Sequence, residues 1–263
     1  MISFQKFAQV AESLWPASGA EDWDAPGLAI GRTDRTFDRV LLAVDLTREV
    51  LEEARTLGAG LIFTHHPPLL KGLSQVSDIS GKGRIVIDAL ESGVVVFSAH
   101  TNADIVSDGV SDTLAKLLGL KNLEPLAESG AGQGHGRVGS LDAPQTLGEL
   151  TSRLAALLPN TPRGVACSGN ASMEVSKVAL CGGAGDSFIS EAQTRGADVY
   201  ITSDLRHHLV QESPIPLIDV SHWASESMWL PVAARQLEDA LPEAKFIVSK
   251  VSTDPWQFSI KEQ

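Results

Sequence analysis

Over residues 3–15 apolar side chains recur every third or fourth position, which predicts an amphipathic helix. A loop containing Pro16 and Gly19 follows, then the segment WDAPGLAIG at 23–31. From residue 38 onward, short apolar runs alternate with helical periodicity. The pattern predicts strands at 38–45 and 59–70, a helix from Thr47 to about Leu57, a helix over 82–91, a strand over 93–100 and a helix near 106–118. Thr47 suits an N-cap, and Glu49 favours the first turn behind it. Pro67 and Pro68 stop the second strand abruptly. Residues 121–145 are rich in Gly, Ala, Ser and Pro, which marks them as a boundary. Beyond it the pattern resumes with helices near 147–157, 187–195 and 224–238, and strands near 163–167, 177–183, 197–204, 215–220 and 244–250. The expected architecture is α/β with largely parallel strands, in two units at 1–125 and 126–263. The last helix and strand are expected to pack back on a central cleft.

An internal repeat strengthens the two-unit reading. VLLAVDLTREVLEEARTLGAGLIFTHH and VALCGGAGDSFISEAQTRGADVYITSD both run strand, helix, Gly-Ala, strand, Thr and a polar pair. By this spacing His65-His66 match Ser203-Asp204. Two similar α/β units would then face a shared cleft, since α/β sheets bind ligands beyond the carboxyl ends of their strands.

Composition narrows the function classes. With 263 residues and 43% hydrophobic positions, the chain can bury a substantial core. Its formal charge of -12 argues against non-specific binding to nucleic acid or anionic membrane. No apolar run approaches the ~18 residues of a membrane span. The N-terminal stretch lacks the unbroken apolar core of a signal peptide. Cys167 and Cys181 match no disulfide framework and no zinc motif, so a cytoplasmic setting is expected.

Candidate chemistry gathers at strand ends. THHPP at 64–68 offers two adjacent imidazoles at the exit of a buried strand. HTNAD at 100–104 adds His100 and Asp104; Asp104 is the better direct ligand, and His100 suits a ligand, a partner of one, or a proton carrier. DVSHWASE at 219–226 places His222 and Glu226 four apart, on one helix face. Mixed imidazole and carboxylate donors suit two divalent ions of Zn, Fe, Mn or Co better than calcium or magnesium. ITSDLRHH at 201–208 adds Asp204, His207 and His208 as candidate proton carriers or substrate contacts. GGAG at 182–185 is a glycine turn without the fuller context of a nucleotide-binding loop.

With these motifs in this order, the chain resembles the GTP cyclohydrolase 1 type 2 homolog family along essentially its whole length. The resemblance implies His65, His66, Asp104, His222 and Glu226 as ligands of two metal ions. It further implies that Glu226 bridges, that His66 and Asp104 complete one site, and that His65 and His222 complete the other. It implies a ring-like homohexamer, and the short 121–145 stretch implies the compact form without an inserted domain. Two departures stand out: Ser203 and Ser221 occupy positions where the family usually has glycine. Serine disfavours positive φ, so they bear on pocket shape, but neither removes a ligand.

The resulting expectation is a metal-dependent hydrolase, acting on GTP or a related nucleotide. A dinuclear phosphoesterase is the alternative within enzymes, and a metal-binding chaperone or regulatory interaction protein is the alternative outside them.

Overall fold

A computed structural model describes residues 1–130 and 132–260. Residue contacts divide the chain into two compact units, one of residues 1–103 with 230–253, the other of 104–229 with the segment from 254 onward.

The first unit contains, in chain order, β1 (Ile2–Ser3), α1 (Phe4–Leu14), β2 (Gly27–Ile30), β3 (Thr36–Phe37), β4 (Arg39–Ala43), α2 (Arg48–Leu57), β5 (Leu61–Thr64), α3 (Gly81–Ser92) and β6 (Val95–Ser98). α4 (Thr101–Asp104) closes this stretch. β5 is buried along its whole length, as its unbroken Leu-Ile-Phe-Thr run requires. It pairs in parallel with β4 on one side and β6 on the other. β2 adds an antiparallel edge beside β6. One sheet face packs Ile62 and Val96 against Val50 and Leu51 of α2 and Val86 of α3. The other carries an aromatic cluster in which Phe7 of α1 meets Phe63 and Phe97, and Trp15 meets Phe63. Thr47 caps α2 by accepting from the Val50 amide, and Gly58 ends it at φ 66, a conformation that glycine adopts without steric cost.

The second unit continues with α5 (Val110–Leu117), β7 (Lys121–Gly130), β8 (Gln133–Thr146), α6 (Leu147–Leu157), β9 (Ala166–Cys167), β10 (Glu174–Leu180), α7 (Ile189–Thr194), β11 (Val199–Ser203), α8 (His207–Glu212), β12 (Leu217–Val220) and α9 (His222–Ser227). Its sheet runs β7-β8-β10-β11-β12-β9, with β10, β11 and β12 parallel and the outer strands antiparallel. The fold is therefore α/β with two mixed sheets, each with a parallel centre, consistent with an internal duplication. α10 (Leu230–Ala240) and β13 (Lys245–Val248) then return to the first unit, where β13 pairs in parallel with β4.

Three readings from the sequence change. Residues 121–145 are the long antiparallel pair β7–β8 rather than a link, and they belong wholly to the second unit. β7 is mostly exposed, so it lacks the apolar alternation that reveals a half-buried strand. The units change at Asp104, ahead of the 125/126 division read from composition, and β13 completes the first unit's sheet. The helix expected over 224–238 is two helices, α9 and α10, because Pro231 has no N–H with which to continue a helix from α9 but fits the first turn of a new one.

Among the described residues, no helix is long and apolar enough to cross a membrane. Cys167 and Cys181 are both free thiols.

Arg137 locks the β7–β8 hairpin to the segment before α5. Its guanidinium donates to Asp112 Oδ1 (2.9 Å) and to the carbonyls of Gly134 (2.8 Å), Gly136 (2.7 Å) and Val106 (2.8 Å). Burial alone would raise the Asp112 carboxyl, but hydrogen bonds from Lys116, the Asp108 amide and Arg137 outweigh it and hold the group below its usual value. Replacing Asp112 by Ala leaves a buried guanidinium charge uncompensated, an expected loss of about 3–5 kcal/mol in denaturant unfolding. A depressed carboxyl stabilises the fold above its unfolded value near pH ~4, and that contribution is lost as pH falls through the folded value. Acid unfolding of Asp112→Asn should therefore lack part of the wild-type pH dependence below about pH 4; an unchanged slope contradicts this account.

Candidate metal centre

Strand register sets up the first group. β4 and β5 pair Ala43 with Thr64, and β5 and β6 pair Thr64 with Ser98. Two residues further along, the same register brings Asp45, His66 and His100 abreast at the carboxyl ends of three parallel strands. The backbone keeps this alignment past the strand ends, since the amides of His65 and His66 donate to the carbonyls of Ala43 and Val44. The three imidazoles of His65, His66 and His100 form a near-equilateral triangle, with centroids 5.1, 5.2 and 5.4 Å apart. One ligand nitrogen from each lies within 4.8 Å of the other two.

Each ring is oriented through Nδ1. His65 Nδ1 lies 3.0 Å from the Ala99 carbonyl, which can only accept, so Nδ1 carries the proton and Nε2 the lone pair. His66 Nδ1 meets Asp45 Oδ1 at 2.7 Å, and His100 Nδ1 meets Asp24 Oδ1 at 2.7 Å. Carboxylates in this position fix the tautomer and raise the basicity of the opposite nitrogen. Asp24 is itself held on all sides: Oδ1 accepts from the Ala25 amide, and Oδ2 from the Thr101 amide and hydroxyl. Burial opposes its charge, but the hydrogen bonds from His100 and Thr101 prevail and keep Asp24 well below the usual carboxylate range.

The second unit builds its group in a similar way. β11 and β12 pair Ser203 with Val220, which puts Asp204 level with Ser221, one residue before His222. Asp204 takes a left-handed backbone (φ 59) at the strand exit, a conformation that Asp tolerates better than most residues. Its Oδ2 meets His222 Nδ1 at 2.7 Å, and this bond holds the Asp204 carboxyl below its usual value. His222 Nε2 lies 2.9 Å from Glu226 Oε1 across one turn of α9. Glu226 is buried, and Gly183 supplies the space for it: a Cβ on Gly183 would collide with Glu226 Oε1 and crowd His222 Nε2. Asp104 joins this neighbourhood electrostatically. Burial, then the charges of Asp104 and Glu226, push the Cys181 thiol up to about 12.

Two His/Glu groups able to coordinate divalent ions are thus present, as a dinuclear centre requires. Nitrogen and carboxylate donors of fixed tautomer fit Zn, Fe, Mn or Co.

Residues 2–255 match the family model Duf34/NIF3 (NGG1p interacting factor 3). The chain belongs to the Duf34/NIF3 family. It is 40% identical over 257 residues to the GTP cyclohydrolase 1 type 2 homolog of Streptomyces coelicolor, covering 93% of this chain and 90% of that one. It is 32% identical to the protein of the same description from Clostridium perfringens, over 95% and 97% of the two chains. Among solved structures, a Bacillus cereus protein related to NIF3 superposes with a TM-score of 0.91 at 22% identity, covering 98% of this chain and 99% of that one. Staphylococcus aureus hypothetical protein SA1388 gives 0.91 at 25% identity with the same coverage. The compact form of the family, without an inserted domain, follows from that coverage.

The remaining candidates separate. His207 and His208 stack edge to face at the start of α8 and line a groove with Asp186, Arg206, Leu209 and Glu212; none of the four anchored imidazoles lines it. The GGAG turn is no phosphate cradle, because the amides of Gly182, Gly183 and Gly185 donate to the hydroxyls of Ser111, Ser225 and Thr202. Neither Ser203 nor Ser221 takes a positive φ: Ser203 is extended and buried in β11, and Ser221 (φ -63) caps α9.

Sequence reasoning missed Asp24, Asp45 and Gly183. Asp24 stood inside the quoted WDAPG segment, and Asp45 ends an apolar strand as His66 does. Only strand register reveals that these carboxylates face imidazoles.

Replacing Gly183 by Ala tests how tightly the second group is built. The added methyl meets Glu226 and demands a left-handed alanine, a strain of order 1–3 kcal/mol. Metal affinity measured by chelator competition should fall by about tenfold or more; unchanged affinity would show that Glu226 needs no such space.

Proposed function

We propose that this chain is a dinuclear metal-dependent hydrolase in which His65, His66, Asp104, His222 and Glu226 hold two divalent ions. The observation that carries this reading is the shared anchoring of His65, His66, His100 and His222 through Nδ1, which fixes where each Nε2 points. Rings held in this way are prepared for a cation, since no reorientation is needed on binding. A bound pair of divalent ions supplies Lewis acidity toward the substrate and acidifies a water.

The chain's own groups then divide the remaining work. His100, with its Nδ1 proton on Asp24, presents Nε2 as a base to take up a proton, and Asp24 stabilises the resulting imidazolium. Asp204 acts by holding His222 rather than by carrying protons, because its carboxylate is already engaged by Nδ1. His207 and His208 belong to the α8 groove, where they are placed to contact a substrate or partner rather than to perform the chemistry.

The relatives' description, GTP cyclohydrolase 1 type 2 homolog, supports GTP or a related nucleotide as a substrate to try first. The occupied amides of the GGAG turn mean that any phosphates must be held elsewhere, by the cations or by side chains. We further propose a ring-like homohexamer, to be checked by light scattering on the purified protein.

Metal content measured by elemental analysis after reconstitution should approach two ions per chain, and Glu226→Ala should lose at least one. A screen of nucleotides and phosphoesters on reconstituted protein should show turnover that Glu226→Ala lacks. Equal turnover in that variant overturns the hydrolase mechanism; full metal binding without turnover on any substrate class favours a metal chaperone or regulatory protein.

A further inference from the structure

Two consecutive residues of the C-terminal segment touch supports of the two groups. After β13, residues 249–260 form no helix or strand. Thr253 donates its hydroxyl to Asp45 Oδ2 at 2.6 Å, while Asp45 Oδ1 holds His66 Nδ1. Asp254 is buried, at 5% exposure. Its Oδ2 accepts the Ser221 hydroxyl at 2.5 Å, and its Oδ1 accepts the Trp256 amide at 2.8 Å. Ser221 in turn accepts from the Ala224 amide as the cap of α9, the helix that carries His222 and Glu226.

We propose that Thr253 and Asp254 form a positioning strap whose two residues each act within their own unit, Thr253 through Asp45 for His66, and Asp254 through Ser221 for His222 and Glu226. The inference rests on the reading that these residues bind metal and adds how the chain keeps them in place. The physical reason lies in the number of bonds each carboxylate makes. Asp45 has one oxygen for the imidazole and one for Thr253, so its plane cannot turn; without the Thr253 hydroxyl, half of that constraint disappears from a side chain that is 35% exposed. Asp254 sets the rotamer of the Ser221 hydroxyl, and with it the entry of the chain into α9.

The segment is pinned on either side of this pair. Before it, the Ser249 hydroxyl and the Lys250 amide both bond to Glu53. After it, Arg163 lies over the Trp256 ring at 5.6 Å and the Ser259 hydroxyl reaches the Pro162 carbonyl. The chain passes from the first unit to the second between Thr253 and Asp254. Ser221 gives this chain a hydroxyl for Asp254 to hold.

Co(II) titration of the full-length protein tests the proposal, with ion affinities from chelator competition, the visible d–d spectrum as a report on ligand geometry, and thermal melting of the metal-free form. Thr253→Val removes one hydroxyl at constant shape and should weaken one of two Co(II) ions by about tenfold, the lower end of what loss of a ligand-orienting group costs. Thr253→Ser should restore it. Asp254→Asn and Ser221→Ala should each weaken the other ion and alter its spectrum; Asp254→Asn leaves the cap of α9 in place, which covers the case in which Ser221→Ala merely unfolds the helix start. The metal-free melting point of Thr253→Val should match wild type. Wild-type affinities and spectra in both Thr253→Val and Asp254→Asn overturn the strap while leaving the metal site intact. So does a lowered melting point with unchanged affinity, which marks a purely structural role. If the wild-type chain binds no Co(II), the site reading fails, and the strap fails with it.

Discussion

Each of four histidines in this protein has its Nδ1 committed to a fixed acceptor: Ala99 carbonyl for His65, Asp45 for His66, Asp24 for His100 and Asp204 for His222. A free imidazole has two tautomers and a rotating ring, and neither is useful to a cation that needs a lone pair at one point in space. Anchoring at Nδ1 removes both freedoms. The acceptors come from strand ends and the loops beside them, so the anchoring depends on parallel strands held in a single register. A slip of one residue between β4 and β5 would turn Asp45 away from His66 and reverse the buried face of the strand as well. The core that fixes the register therefore also fixes the chemistry.

The two units solve the same problem with different materials. The first gathers three imidazoles, and its carboxylates, Asp24 and Asp45, serve as orienting groups. The second has one imidazole, with Glu226 buried against it and Asp104 in the same electrostatic neighbourhood. The repeat in the sequence aligns His65-His66 with Ser203-Asp204, and the structure shows what became of that second pair. Asp204 is an anchor for His222, and Ser203 is a buried part of β11. Equivalent positions in the two halves thus carry a pair of imidazoles on one side and the anchor of an imidazole on the other.

Glycine and proline decide much of the local geometry around these groups. Gly183 leaves the volume that Glu226 occupies, and Pro231 separates the helix bearing Glu226 from α10, which returns to the first unit. That return delivers β13 to the sheet edge at β4 and sets up the final segment, whose Thr253 and Asp254 reach Asp45 and Ser221. The end of the chain is thereby connected to supports that lie far from it in sequence.

The amino-acid sequence by itself determined the alternation of strands and helices, the cap at Thr47, and the position of His65, His66, His100, Asp104, His222 and Glu226 at strand exits or on the helix after one. These features are local: apolar periodicity, a capping side chain and a polar residue after an apolar run are all written within a few neighbours. Only the tertiary structure decided the rest. The β7–β8 hairpin escaped detection because β7 is largely exposed and carries no alternating signature. The division of the chain at Asp104 and the return of α10 and β13 depend on contacts between residues more than a hundred positions apart. The same holds for the anchors, since Asp24 reaches His100 across 76 residues and Thr253 reaches Asp45 across 208. A ligand announces itself by its own side chain and its place on a strand. A group that holds a ligand is an ordinary carboxylate until strand register brings it to an imidazole.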